Sequence, residues 1–422
     1  VVEQGTAAFD EAKATLIERG VTALEAVEPA ARQILVDVRH GGDAMVRRYA
    51  QRMDGHAPTT LLDRHLDGEG ALQRLPREVS QALKAMVGRA QRFFQRQKEA
   101  EFRHEEGGLT LGQRLRPVRR AAVCVPPARS RSVWGLVLSA MPARVAGVTD
   151  LIVAAPDLDD LTLAAAHLLG VTALVKVGGA QAVAALAFGT ETIPRVDVIA
   201  GNGGLYAGCA KRLVFGHVHV EGLGGPPELL ALVDSSARAP LVAADLLATA
   251  EQEEGAFPLV VATDRRALTA IEQELSRQLA GLPRRAAATA ALEQNGRALL
   301  VRQREQLLEL AEQLAPAQVA FHVERPEDAL DRLRSLGLAT WGALTFEGAA
   351  QLGAAPTGGT ARFWGPGGVG GFLTRTCYAK FGAAALRAQA DGLATLARAD
   401  GREGLARSIE QRLGLPEAKE RG

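Results

Sequence analysis

Apolar positions recur at helical spacing almost without interruption from residue 8 to residue 103. Over Val27 to Met53 the residues Ile34, Leu35, Val38, Ala44, Val46 and Tyr49 mark two helices joined at Gly41-Gly42, and Leu83 to Phe94 opens another long one. Such an arm predicts a scaffold or a dimer contact. Between Thr110 and Val125 the period changes, because TLGQRLRPVRRAAVCV first alternates and then becomes wholly apolar, which predicts β-structure. From Val123 to about Val233 strand-length apolar runs alternate with helical stretches. In order they are AAVCV, a helix over Leu136 to Ala146, LIVAA, a helix over Leu161 to Leu169, ALVKV, and an apolar helix behind the Gly178-Gly179 turn. A strand over Val196 to Ala200, a Gly201-Asn202-Gly203-Gly204 turn and a helix ending near Phe215 follow. This alternation predicts a parallel, doubly wound sheet. A second such unit is predicted from Pro240 to about Trp341, with strands PLVVA (258–262), ALLV (298–301), VAFHV (319–323) and LATW (338–341). A Gly-rich loop, GGTARFWGPGGVGGF (358–372), and a helical tail from Ala383 to Leu413 complete the pattern.

A chain of 422 residues exceeds what one core holds, so two main domains with appendages are expected. Lys and Arg number 49 against 48 Asp and Glu, which leaves no global field to draw in nucleic acid or an anionic membrane. The densest basic cluster (Arg114, Arg116, Arg119, Arg120, Arg129, Arg131) carries no interleaved aromatics and reads as a solvated strand face. The longest apolar stretch, Leu161 to Gly189, is broken by His167, Lys176 and Gln181 and is too interrupted to span a membrane. The first residues, VVEQGTAAFDEAK, are polar and acidic and show no signal peptide. Cys124, Cys209 and Cys377 lie far apart, which points to a reducing cytoplasm and excludes a cysteine-only zinc site from one chain.

Two glycine turns, each feeding a helix, are where backbone N–H groups approach a nucleotide, yet neither GxGxxG nor GxxxxGK[ST] is present. Glycines also turn tight corners in any α/β fold. The 358–372 loop lacks the Lys-Ser/Thr of a phosphate cradle and reads as a linker or ligand-covering loop. His217 and His219 share one face of a strand, but a two-histidine pair without a third ligand is weak support for a metal. His322, Cys124 and Cys209 read as core residues.

The wording of the chain says more than its pattern. GGDAMVRRYAQRMDG (41–55), RPVRRAAVCVP, AMPARVAGV (140–148), GGAQAVAALAFGTETIP, AKRLVFG, GGPPE, AADLLATAE (243–251), LAPAQVAF (314–321), PTGGTARF (356–363) and ARADGREGLARSIEQRL (397–413) resemble histidinol dehydrogenase, collinearly from about Val27 to Arg412. That family is NAD-dependent and zinc-containing, and oxidises L-histidinol to L-histidine. The resemblance implies an α/β fold of two incomplete Rossmann-like doubly wound domains with a helical N-terminal arm and a C-terminal helical tail. It also implies an intertwined homodimer. The expected division is 1–119 for the arm and the start of the first domain, 120–235 for the first Rossmann-like domain, 236–375 for the second and 376–422 for the tail.

Carried over position by position, the family's chemistry is missing. Its zinc-binding Gln and His on the AADLL helix are Thr249 and Gln252 here. The stretch from Gly342 to Pro356 is about five residues shorter than the family pattern, with neither GDY nor PNH. The tail histidine is replaced by Leu405, and no histidine follows His322. The Glu-His proton-transfer pair of APEHL reads Ala317-Gln318. Gln does not titrate near neutral pH and Ala has no polar group, so general acid–base work through this pair is excluded. The cofactor-packing tyrosine is lost where YVPGG becomes Cys124-Val125-Pro126-Pro127-Ala128, and the cofactor Asn of GPGN is Gly204. The substrate Ser becomes Pro227, and Trp134-Gly135 replace paired serines and are expected to reshape the pocket. Gln181 survives at a cofactor contact, Glu228 beside the lost Ser, and Asp400 where the family has a substrate-binding Glu.

No catalytic residues and no metal ligands are therefore assigned. Gln181 is the cofactor-binding candidate, with NAD contacts weakened and zinc not expected. Glu228, Thr249, Gln252 and Asp400 are candidates to line a pocket for a small polar ligand. The leading expectation is a zinc-free, catalytically silent paralogue with a binding or scaffold role, homodimeric or paired with an active relative. A divergent enzyme using the remodelled cleft ranks second, and a still-active histidinol dehydrogenase last.

Overall fold

A computed structural model of the chain describes residues 1–126, 133–347 and 358–414. Pro127, Ala128, Arg129 and Arg131, and the residues on either side of Pro356, lie outside the described residues. In chain order the elements begin with β1 (Val2–Glu3), α1 (Ala7–Met53), β2 (Leu62–Asp63), α2 (Gly68–Arg74), α3 (Arg77–Gln95), β3 (Phe102–Glu106), β4 (Leu109–Pro117), β5 (Arg120–Cys124) and α4 (Val133–Ala146). There follow β6 (Asp150–Ala154), α5 (Asp160–Leu168), β7 (Ala173–Val175), α6 (Gly179–Phe188), β8 (Val198–Gly201), α7 (Leu205–Val214), β9 (His219–Glu221), β10 (Glu228–Val233) and α8 (Ala239–Ala250). The chain continues with β11 (Phe257–Ala262), α9 (Arg265–Leu279), α10 (Arg285–Gln294), β12 (Arg297–Leu300), α11 (Arg304–Leu314), β13 (Gln318–His322), α12 (Pro326–Leu330), β14 (Leu338–Trp341), β15 (Leu373–Phe381), α13 (Ala383–Ala399) and α14 (Glu403–Glu410).

Two compact units result, one from 1–98 and 118–372, the other from 99–117 and 373–422. The larger holds two six-stranded sheets, in the orders β2-β7-β6-β5-β8-β9 and β1-β12-β11-β10-β13-β14. Apart from β2, which is antiparallel to β7, every pairing in them is parallel. Without the short edge strands β2 and β1, each sheet carries its five strands in the spatial order third, second, first, fourth, fifth, a Rossmann arrangement short of its sixth strand. Strands buried on both faces need continuous apolar runs, and Ala121–Cys124, Leu151–Ala154 and Leu229–Val233 supply them. Helix α6, GAQAVAALAF, is apolar around most of its circumference because it is buried there.

Thr6 caps α1, its hydroxyl accepting from Phe9 N at 3.2 Å. The helix breaks, as the sequence predicts, at Gly42 (φ 51°), where the Glu191 carboxylate accepts from Asp43 N at 2.7 Å. A Cβ at Gly42 would fall 2.2 Å from Glu191 Oε2.

The expected domain limits need correction at three points. Strand β10 lies ahead of the 235/236 boundary yet pairs in the second sheet, between β11 and β13, and it is joined to β9 by the GLGGPP linker with no helix between them. The 1–119 arm is divided, because β4 pairs antiparallel with β15 along its whole length and carries 99–117 into the smaller unit. The helical tail is preceded by β15, which begins at Leu373 rather than after 375. The single β-run expected over Thr110 to Val125 is two strands in two sheets, broken after Pro117, which has no N–H for a ladder. Arg120 is also not a solvated residue, since its side chain is largely buried against Asp150 at 2.5 Å and donates to Arg195 O at 2.9 Å. In the smaller unit Arg116 does face solvent, paired with Glu101 at 2.7 Å.

Candidate functional site

The second sheet brings most of the pocket candidates to the starts of β10 and β13 and to the last turn of α8. The register sets Leu230 opposite Val319, so Glu228 lies beside Ala317. Glu228 is buried and its carboxylate is fully used. It accepts from Arg19 Nε at 3.0 Å, Arg19 Nη2 at 2.9 Å, Ala317 N at 3.1 Å and Gly358 N. Four donors match the acceptor capacity of a carboxylate, leaving none for a ligand. Arg19 also donates to Leu314 O at 3.0 Å, holding the turn in which Ala315 adopts a left-handed φ of 42°. Glu228 thus ties α1, the 314–317 turn and the 358 loop together, where the sequence had offered it as a pocket residue.

Thr249 and Gln318 are buried, and Thr249 Oγ1 and Gln318 Nε2 have no hydrogen-bond partner among the described residues. Ala317 is buried and offers only its backbone N–H, which Glu228 takes. Gln252 is partly exposed, and its Nε2 donates weakly to Ala248 O at 3.3 Å and Glu347 Oε1 at 3.4 Å. Glu347 is the site residue that the sequence does not single out. Its N–H donates to Asp245 Oδ1 at 2.9 Å, and burial, reinforced by the Asp245 charge, pushes its carboxyl above the usual range. The one available signal is that Glu347 is the only titratable residue between Trp341 and Arg362. His322, read as a satisfied core group, has Nε2 3.4 Å from Asp245 Oδ2 without a hydrogen bond to it, and that nitrogen has no hydrogen-bond partner among the described residues.

Gln181 is buried, with Nε2 donating to Asp54 Oδ2 at 3.2 Å. Burial raises the Asp54 carboxyl, against hydrogen bonds from Gly178 and Gln181 that lower it. The cofactor candidate therefore bridges the end of α1 to the glycine turn. At the switch point of the first sheet, Gly201 (φ 83°) sits so close to β5 that a Cβ would lie 2.3 Å from Cys124 O. Gly201→Ala is expected to cost more than about 1 kcal/mol, read as a lowered denaturant midpoint. Asn202 serves its own turn, accepting from Gly204 N at 3.1 Å and donating to Gly225 O at 2.9 Å. Beneath it the fully buried Lys211 donates to Gly201 O and Gly222 O, both at 2.6 Å, and burial lowers its ammonium from 10.5 to about 8.

Asp400 lies in the smaller unit, exposed, at the C-cap of α13, and Leu405 lies on α14 of that unit. Trp134, near the start of α4, is 42% exposed. His219 pairs with Glu221 at 3.2 Å, whereas His217 stacks edge-on against Phe188 at 5.4 Å, so the two histidines engage different partners. The Gly-rich 358–372 segment packs on that same Glu221, which accepts from Gly368 N at 3.0 Å, and a Cβ at Gly371 would lie 2.1 Å from Glu221 Oε2. Cys124 and Cys209 are buried and their thiols raised by burial.

Zinc, which the resemblance implies, does not fit this donor set. Thr249, Gln252 and Gln318 are neutral, residues 348–357 contain no His, Cys, Asp or Glu, and no group of three such residues comes together among the described residues.

The family model for histidinol dehydrogenase matches residues 17–413. The histidinol dehydrogenase of Thermus thermophilus is 38% identical over 415 residues, covering 96% of this chain and 99% of that one. That of Parasynechococcus marenigrum is 37% identical over 391 residues, covering 90% of each. The crystal structure of histidinol dehydrogenase from Elizabethkingia anophelis superposes with a TM-score of 0.84 at 24% identity, covering 92% of each chain, a likeness of fold.

Proposed function

This chain belongs to the histidinol dehydrogenase family, oxidoreductases of histidine biosynthesis, and from that premise we propose that it is a zinc-free paralogue silent in the family reaction, retained for binding or scaffolding. The observation that carries the reading is the state of the proton-transfer positions. Ala317 is buried with nothing to titrate, and Gln318 presents an unpartnered amide in place of an imidazole. Oxidation of an alcohol to an aldehyde and then to an acid releases protons at each step, and no group at these two positions takes them up. Binding of NAD is further disfavoured because Gln181 is committed to Asp54 and Gly204 stands where the family carries its cofactor Asn.

A second reading, a divergent enzyme working in the same cleft, draws on the unpartnered Thr249 and Gln318 side chains, which await a ligand. Assembly with a second copy or with an active relative is part of the proposal, supported by Leu396 and Leu405 of the smaller unit, which are 69% and 39% exposed. A cytoplasmic location is likewise proposed, supported by three free cysteines, and among the described residues no helix is long and apolar enough to cross a membrane. Steady-state NADH formation from L-histidinol and NAD, with zinc supplied and the Thermus thermophilus enzyme as comparator, tests the reading. The expected rate is at least about 10⁴-fold below the comparator, the upper range for loss of general acid–base catalysis. A rate within tenfold of it would sink the proposal.

A further inference from the structure

We infer that the last turn of α8 and the start of β13 form a metal-free subsite for an uncharged group that carries an acceptor oxygen beside an N–H or O–H donor, a primary carboxamide being the simplest. The inference rests on the proposed binding role and names the chemistry of its ligand.

The Asp245–His322 contact at 3.4 Å fixes where α8 crosses β13. In a right-handed strand–helix–strand crossover the helix runs antiparallel to its strands. One turn on from Asp245 is Thr249, and four residues back from His322 is Gln318, so both run to the same edge of the sheet. There Thr249 is 1% and Gln318 7% exposed, and each carries a polar atom with no partner among the described residues. Buried polar atoms left without hydrogen bonds cost about 1–3 kcal/mol each, a cost that a ligand bonding to both would offset. Glu347 closes this edge, its N–H on Asp245 at 2.9 Å and its carboxyl on Gln252 at 3.4 Å. The segment after β14 is thereby fastened to α8 by hydrogen bonds, with no metal needed as a link.

The ligand's chemistry follows from what is unfilled. Gln318 Nε2 supplies N–H donors and calls for an acceptor oxygen, and the Thr249 hydroxyl both donates and accepts. An anion would meet Asp245 and Glu347, an ammonium would face the amide N–H groups of Gln318, and zinc would find only neutral side chains in Thr249 and Gln318, with no group of three His, Cys, Asp or Glu brought together among the described residues.

Acetamide is the probe. In protein labelled with 15N-glutamine, the Gln318 side-chain amide signals, assigned by their loss in Gln318→Leu, are expected to shift saturably with acetamide. Neither acetate nor methylammonium should move them, and Thr249→Val should weaken the acetamide response at least tenfold. Calorimetric titration with zinc chloride should show no stoichiometric binding. Absence of a saturable acetamide shift, or one zinc bound per chain and lost in Gln318→Leu, would overturn the inference. NADH formation from L-histidinol without zinc binding would instead overturn the silent-paralogue reading and leave this subsite standing.

Discussion

Arg19→Leu is expected to destabilise the larger unit by about 3–5 kcal/mol, the cost of leaving a buried charge without its partner. The Arg19 and Glu228 side chains are 2% and 1% exposed, and the guanidinium meets both carboxylate oxygens. Removing it leaves Glu228 with only the Ala317 and Gly358 N–H groups, and frees Leu314 O in the turn that holds Ala315 in its left-handed conformation. Arg19→Lys keeps the charge but loses the fork, and should fall between wild type and Arg19→Leu. The double variant Arg19→Leu/Glu228→Leu removes both charges and is expected to lose less than the sum of the single changes. Denaturant midpoints of wild type, Arg19→Leu, Glu228→Leu, the double variant and Arg19→Lys measure these differences. Additive losses would mean that the pair is not coupled and that Glu228 is free to serve a ligand after all.

Lys211 gives the second large effect, through pH. Its folded-state pKa, about 8, lies below the ordinary 10.5 because burial penalises the ammonium. Between these two values the unfolded chain binds the proton and the folded chain does not, so stability rises with pH across the window and falls as pH drops toward 8. At about 1.4 kcal/mol per pH unit the change amounts to about 3 kcal/mol. Other lysines and tyrosines titrate in this range, so the quantity to measure is the difference in slope between wild type and Lys211→Met, obtained from denaturant midpoints at pH 8, 9 and 10. Equal slopes would show that Lys211 keeps an ordinary pKa and that its clamp on Gly201 O and Gly222 O is wet.

Much of the fold is legible in the sequence because buried parallel strands must be continuously apolar. LIVAA, ALVKV, PLVVA and VAFHV announce β6, β7, β11 and β13. Strand β10 is as apolar as these, but it directly follows the Gly-Pro linker after the first unit, and so it falls on the first-domain side of the expected 235/236 boundary. Strands β1 and β2 are two residues each, too short for any periodicity to register. At the site, Thr249, Gln252, Ala317 and Gln318 can be found by resemblance alone, because motif wording travels with local sequence. The Arg19–Glu228 pair cannot, since its members stand 209 residues apart and each looks like an ordinary charged residue in its own helix or strand. Glu347 is hidden for the same reason, since only the folded chain brings it against Asp245 and Gln252. Lys211 sits in a helix whose last turn carries Lys-Arg, a pattern that reads as a favourable exposed C-terminus until the structure buries the lysine.

The central claim, that the scaffold has been kept while the proton-transfer chemistry has gone, is tested most directly by a single-turnover experiment. Protein in excess over L-histidinol, with NAD and zinc supplied, is followed for NADH absorbance over hours. No NADH above the protein-free control is the predicted result. Two NADH per histidinol, the yield of oxidation through the aldehyde to the acid, would contradict the account and restore the chain to the working enzymes of its family.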